Sequence, residues 1–297
     1  MCQRFSGWMK IACLFASAAV VSAAHPAGGT GSSTQKLVQI QLGGVDVAFV
    51  RVPGGEFVMG SDRPEPLRRQ WDDDQYPGVE MRALRVRVTG FLMSRTLVTR
   101  GQYRPYCVAT GANEWFPGTA TAEHPANFVT YEHARGYAVW ATGELRRQGL
   151  KGVIRLPWEV EWEYAARGIH SGVGGQPRWM YVDGPEGGEP DPGSRAATGA
   201  QGEATEARQG DGLSSVLSSS PNSFGLFNLM GNVYEYCADA WSTKYQMRGS
   251  PPYLDPRVPV RSRNSLVVCR GGGRPSPVED FLWPIGFLRS SAVTQES

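Results

Sequence analysis

Residues 221–241, PNSFGLFNLMGNVYEYCADAW, constrain the fold of this chain more than any other stretch. Aromatic residues recur on both sides of a Gly231-Asn232 pair, and Tyr234 and Tyr236 stand at period two. Gly-Asn is a turn signal, and alternation of this kind marks a strand. The stretch is therefore expected to form a strand, a turn and a second strand at the centre of a domain. It also concentrates two carboxylates, Glu235 and Asp239, and one thiol, Cys237.

The neighbouring segments point to a loop-rich α+β domain. KLVQIQLG, VDVAFVRVP and GGEFVMGS (36–61) alternate Val, Ile and Phe between Gly pairs, which predicts hairpins; LRVRVTGFLMSRTLVT (84–99) predicts another strand pair. A helix is expected after Thr130, with Ala134, Ala138, Ala141 and Leu145 forming its buried stripe and an end near Gly149. RLPWEVEWEYAARG (155–168) predicts a second helix, opened by Pro157 and stopped by Gly168. Periodicity is lost over 169–222, where Gly, Ser, Ala and charges dominate. The 37 Gly and 21 Pro suit many tight turns and little long regular structure.

The N-terminus reads as an export signal. Arg4 and Lys10 precede IACLFASAAVVSAA, and small residues before Ala24 or His25 suit cleavage. That apolar run is shorter than the roughly 20 residues a membrane span needs. Residues 1–24 are assigned to the signal, 25–35 to a flexible leader, and 36–297 to one domain. The expected location is the periplasm, and an integral membrane protein is not expected. Two of the 30 Lys and Arg residues leave with the signal, so 28 remain against 28 Asp and Glu. A balanced chain has no electrostatic footprint for nucleic acid. Cys107, Cys237 and Cys269 also remain, and three thiols allow at most one internal disulfide. Spacing does not assign it; Cys237 with Cys269 is the expectation, because both lie in strand-like apolar runs.

Four blocks in order, VPGGEFVMGS (52–61), RLPWEVEWEYAARG (155–168), PNSFGLFNLMGNVYEYCADAW (221–241) and VVCRGGG (267–273), resemble the formylglycine-generating enzyme, or sulfatase-modifying-factor, family. The resemblance implies an irregular mixed α/β fold related to C-type lectins. It also implies a structural calcium held by the Asn228 and Glu235 side chains and the Gly231 and Val233 carbonyls. Hard oxygen donors from one short turn suit that ion. Tyr234 and Tyr236 would then face the core and Glu235 the ion; without an ion, Glu235 is a strand carboxylate paired with an Arg. A second calcium would draw on Asp211 and the Leu213 carbonyl in GDGL, though an upstream Asn partner is missing. Where the family has Ser or Thr as helix cap, this chain has Trp158, which cannot accept N–H bonds. A cap weaker by about 1 kcal/mol is expected there.

The family's chemistry departs most sharply after Arg270-Gly271-Gly272-Gly273. Active members hold copper through two cysteines, and soft thiolates are what Cu(I) requires. Those positions fall on Ser276 and Phe281 here, so no copper and no cysteine oxidation by that route are expected. The four His residues have no metal-ligand spacing, and no nucleophile elbow or phosphate loop is present. Two functions fit this pattern. One is a non-catalytic exported member that binds another periplasmic or envelope protein, as an accessory regulator of type VI secretion acts upstream of a Ser/Thr kinase. The other is a periplasmic enzyme of siderophore (pyoverdine-type) maturation, with Glu279 as base in a cleft near Trp158 and Trp283.

Overall fold

The structure, a computed structural model, describes residues 37–60, 84–112, 114, 121–168, 213–229, 232–242, 249–262 and 265–271, with the backbone of 13–15, 18–20 and 290–292. Two short strands, β1 (Cys13–Phe15) and β2 (Ala18–Val20), lie in the segment read as an export signal. The period-two runs form β3 (Val38–Leu42), β4 (Val45–Val52), β5 (Gly55–Met59), β6 (Leu84–Val88) and β7 (Phe91–Ser94). Gly43 and Gly44, with φ of 58° and 81°, close the β3–β4 hairpin. A two-residue loop needs that left-handed backbone to match the strand twist.

Helix α1 (Arg100–Thr110) was not legible from hydrophobic periodicity, because Pro105 sits inside it. Its start carries a signal nonetheless. Thr99 Oγ1 accepts the Gln102 N–H and Gln102 Oε1 accepts the Thr99 N–H, each at 3.1 Å. This Thr-x-x-Gln capping box satisfies two orphan donors. Helix α2 (Tyr131–Arg147) starts where expected: Thr130 Oγ1 accepts the His133 N–H at 3.2 Å, and Ala134, Ala138, Ala141 and Leu145 are buried. A short strand, β8 (Val153–Arg155), leads into α3 (Glu159–Arg167), which stops at Gly168.

Only half of the central stretch is strand. Residues 234–240 form β9 (Tyr234–Ala240), whereas 221–229 are irregular. Asn222 Oδ1 accepts the N–H groups of Phe224 and Leu226 at 3.0 and 3.1 Å, a local side-chain turn that takes the donors a ladder would need. β10 (Tyr253–Leu254), β11 (Val267–Arg270) and β12 (Ser290–Ala292) complete the strands. Three sheets result, in the orders β1-β9-β11-β12, β10-β6-β5 and β3-β4-β7-β2-β8.

The sheets separate two apolar clusters. One gathers Phe49, Leu92, Tyr236 and Cys269 against Tyr103, Tyr137 and Ala141 of α1 and α2. The other gathers Val50, Phe57, Met93, Cys237 and Val268 against Trp162 and Ala165 of α3. Strand neighbours such as Leu92 and Met93 fall in different clusters, as the two-residue period requires. Among the described residues no helix is long and apolar enough to cross a membrane.

Candidate functional site

β9 places Glu235, Cys237 and Asp239 on the side facing α3, and all three are buried. Tyr236 turns the other way and meets the Tyr131 ring edge-on at 5.5 Å, while Tyr234 is half-buried. Both faces of this strand are therefore lined by core.

Glu235 is only 1% exposed, and its Oε1 has no hydrogen-bond partner among the described residues. A methyl group added at Gly271 would stand 3.3 Å from the Leu229 carbonyl oxygen, 3.4 Å from Glu235 Oε1 and 3.6 Å from Trp162 Cζ2. Gly271 has φ of 85°, and it is this left-handed backbone that calls for glycine. The Leu229 carbonyl oxygen and Glu235 Oε1 thus both lie within 3.4 Å of one spot. Burial pushes the Glu235 carboxyl up to about 8; the Trp162 indole opposes this, but neither its Nε1 nor Glu235 Oε1 completes a hydrogen bond. Arg270 is the cross-strand partner of Glu235, yet its guanidinium pairs elsewhere.

The turn before β9 holds two asparagines in the left-handed region, Asn228 at φ 56° and Asn232 at φ 63°. Asn is the non-glycine residue that best tolerates this backbone. Asn232 bonds Ser214 as a peptide unit would: its Oδ1 accepts the Ser214 N–H at 3.1 Å and its Nδ2 donates to the Ser214 carbonyl at 3.0 Å. Asn228 Nδ2 donates to Ser219 Oγ at 2.8 Å, and its Oδ1 accepts from Asn232 Nδ2 at 3.4 Å.

Of the calcium ligands inferred from sequence, Asn228, Val233 and Glu235 share this turn, and Gly231 lies outside the described residues. The unpartnered Glu235 oxygen opposite the Leu229 carbonyl fits a cation, since buried polar atoms otherwise find partners. The Asn228 oxygen fits less well, being engaged by Asn232, although by a long bond that an incoming ion can displace. Of the second candidate pair, Asp211 lies outside the described residues and Leu213 is buried beside the pinned Ser214. Among the described residues, no group of three or more His, Cys, Asp or Glu is placed to hold a metal ion. Ser276, Glu279, Phe281 and Trp283 also lie outside the described residues.

Cys237 and Cys269, expected to pair, form no disulfide, and neither does Cys107. The reason is register. β9 and β11 are adjacent and antiparallel, but Cys269 stands opposite Tyr236 and packs in the first cluster, whereas Cys237 packs in the second. The side chains leave opposite faces of the sheet and cannot meet. Burial raises the pKa of Cys237 well above the ordinary thiol value, so it is a poor nucleophile.

The start of α3 corrects a second expectation. Trp158 supplies no side-chain cap, but Asp239 does so from β9: its Oδ2 accepts the Glu159 N–H at 2.5 Å and its Oδ1 the Val258 N–H at 2.7 Å. Glu161 adds the reciprocal half of a capping box by accepting the Trp158 N–H at 2.8 Å, and it accepts from the two terminal guanidinium nitrogens of Arg155, each at 2.7 Å. The Trp158 ring is half-buried between the guanidiniums of Arg155 and Arg257, at 5.7 and 5.1 Å. Burial, then the nearby Glu159 carboxylate, push Asp239 up to about 7.

A buried ionic network completes the region. Arg270 is 1% exposed, bonds Glu163, lies 3.8 Å from Glu159 and covers the Trp162 ring at 5.1 Å. Glu163 also accepts the Gly60 N–H at 2.8 Å and pairs with Arg167 at 2.6 Å. Burial alone would raise the Glu163 pKa, but Arg167 and Arg270 hold it at about 2. The signal for this network was in the sequence: three Glu two residues apart in one short helix, and an Arg inside the apolar run VVCRG.

The chain is similar to known proteins along most of its length. The sulfatase-modifying factor enzyme 1-like domain family matches residues 44–284. A formylglycine-generating enzyme from Thermomonospora curvata is 29% identical, covering 75% of this chain and 81% of its own. The mouse protein named inactive C-alpha-formylglycine-generating enzyme 2 is 27% identical, covering 86% of this chain and 89% of its own. Among solved structures, Treponema denticola variable protein 1 has the same fold, with a TM-score of 0.57 at 17% identity, covering 88% of this chain and 94% of its own.

Proposed function

The chain belongs to the sulfatase-modifying factor enzyme 1-like family, and from that premise we propose that it is a non-catalytic, exported member that works by binding another envelope protein. One observation carries the reading. The positions at which the family resemblance places the copper thiolates hold Ser276 and Phe281, which donate no thiolate. The three cysteines of the domain are buried at other positions and form no disulfide. The similarity to a relative named as inactive supports the same reading. The family's shape is kept while its oxidation chemistry is lost.

Calcium has a structural role in this reading, held by Glu235 and Asn228 with the Gly231 and Val233 carbonyls; Asp211 and Leu213 are the candidates for a second ion. The ion would supply charge compensation for the buried Glu235 carboxylate. The chain's own residues do the rest: Gly271 leaves the approach to Glu235 open, and Asn232 fixes the loop at Ser214. The partner is a periplasmic or membrane-anchored protein, and activation of type VI secretion upstream of a Ser/Thr kinase is the pathway proposed. The test has two arms. Copper-loaded protein is incubated with a cysteine-containing sulfatase peptide, and the tagged exported protein is isolated with its bound material. No formylglycine and one stoichiometric partner are expected. Formylglycine product, or a Glu279→Ala variant that loses a small-molecule conversion, would replace this reading with an enzymatic one.

A further inference from the structure

The segment read as an export signal occupies a structural position of its own. β2 lies between β7 and β8 and is antiparallel to both: Ala18 and Ala19 stand opposite Met93 and Leu92, and Ala18, Ala19 and Val20 opposite Arg155, Ile154 and Val153. β1 runs parallel to β9 along Tyr234–Tyr236. Two residues on, the Ala238 N–H donates to the Pro157 carbonyl at 2.8 Å, so the continuation of β8 closes the β9 edge there. β1 and β2 thus lie in the wedge where β8 parts from β7, β2 between those two strands and β1 along β9.

β8 has no substitute for this neighbour among the described strands. Its outer edge is satisfied by a side chain: the Thr142 hydroxyl accepts the Ile154 N–H at 2.9 Å and lies 2.9 Å from the Ile154 carbonyl oxygen. Backbone groups of successive strand residues point to opposite edges. With Ile154 turned to Thr142, the N–H and C=O groups of Val153 and Arg155 face the β2 position. On the other side, Leu92 and Met93 of β7 are 3% and 1% exposed, and Ile154 is 2% exposed. Without a strand in the wedge, the backbone edge groups of β7 and β8 lose their partner beside these buried side chains, which is a template for strand addition.

We propose that removal of residues 1–24 opens a strand slot between β7 and β8, and that the envelope partner fills it with an extended apolar segment antiparallel to both. This rests on the export and partner-binding reading above. The chain's own occupant defines the chemistry of the partner segment: small apolar residues at the two positions taken by Ala18 and Ala19, followed by a β-branched residue at the position of Val20. The uncleaved chain carries its own competitor, so binding begins only after processing.

The protein purified from its exported compartment is first weighed intact, which reads whether residues 1–24 are gone. A synthetic peptide of residues 11–22, with Cys13 replaced by Ser, is then titrated into it while amide hydrogen exchange is followed. One-to-one binding is expected, with exchange at 91–94 and 153–155 slowed at least tenfold. A peptide N-methylated at Val20, which removes a donor facing β8, should bind at least tenfold more weakly, and Val153→Pro should weaken the unmodified peptide similarly. The peptide should also displace the captured partner. A retained leader defeats the export reading and the slot with it. A processed chain that does not bind the peptide, binds the N-methylated one equally well, or keeps its partner in excess peptide defeats the slot alone.

Discussion

Asp239 on β9 accepts the backbone N–H of Glu159 at 2.5 Å, so a strand carboxylate caps a helix that begins 80 residues earlier in the chain. The same carboxylate accepts from Val258, and it is fully buried. Strand, helix and the 253–260 segment are therefore fastened by one side chain at the point where the family's usual hydroxyl cap is missing.

Asp239→Ala should lower the unfolding free energy by about 2–3 kcal/mol, because two buried N–H groups lose their acceptor. Asp239→Asn keeps one acceptor oxygen and should cost less. Urea denaturation followed by tryptophan fluorescence reads both. Equal stability of Asp239→Ala and wild type would mean that the cap is supplied elsewhere.

The pH dependence of stability should show two opposed arms. Asp239 and Glu235 have folded-state pKa values of about 7 and 8, above the roughly 4 of unfolded carboxylates, so their contribution is full below pH 4 and is lost as pH rises toward 8. Glu163, held at about 2, contributes above pH 4 and loses that contribution as pH falls toward 2. In the presence of a chelator the Tm should peak near pH 4–5 and fall by pH 8, and Glu235→Gln should flatten the upper arm. A Tm that rises steadily from pH 5 to 8 contradicts the assignment.

Calcium should act through the same carboxylate. Millimolar Ca²⁺ at pH 7.5 is expected to raise the wild-type Tm and to leave Glu235→Ala unchanged. Gly271→Ala, which places a methyl group beside Glu235 Oε1 at a φ of 85°, should lower the Tm and blunt the calcium response together. An equal calcium shift in wild type and Glu235→Ala removes this turn as the ion site.

Breaking the buried ion network should be costly and non-additive. Glu163→Ala and Arg270→Ala should each destabilise by about 3–5 kcal/mol, since each leaves an uncompensated buried charge. The double variant should cost clearly less than the two together. Simple additivity in denaturant titrations would show that the two side chains are not coupled.

The thiols provide a direct chemical check. Protein lacking residues 1–24 should have the same intact mass before and after reduction, and its three cysteines should react with a thiol reagent only on unfolding. A gain of two hydrogens on reduction would restore the disulfide.

Much of the framework was legible in the chain itself. Thr130 and the alanine stripe marked α2, Gly43-Gly44 marked the β3–β4 hairpin, and the four blocks marked the family, whereas β4 and β5 on either side of Gly54-Gly55 fall in different sheets. Helix α1 was hidden by Pro105, although the Thr99–Gln102 box announced it. The Trp158 position was read as a weakened cap because a sequence window around residue 158 cannot contain Asp239. Cys237 and Cys269 were paired on the character of their strands, and one residue of register put them on opposite faces.

The sequence by itself determined the local periods, the turns and the family. Those features depend on residue type at short spacing, where propensity and sterics act directly. Only the tertiary structure decided which buried charge meets which. Arg270 reaches Glu163 across 107 residues, Asp239 reaches Glu159 across 80, and Glu235 lies beside Gly271. Strand register and the packing of α3 against β9 and β11 set those meetings, and a buried carboxylate is held at about 2 where that packing brings arginines to it or pushed to about 8 where burial acts without them.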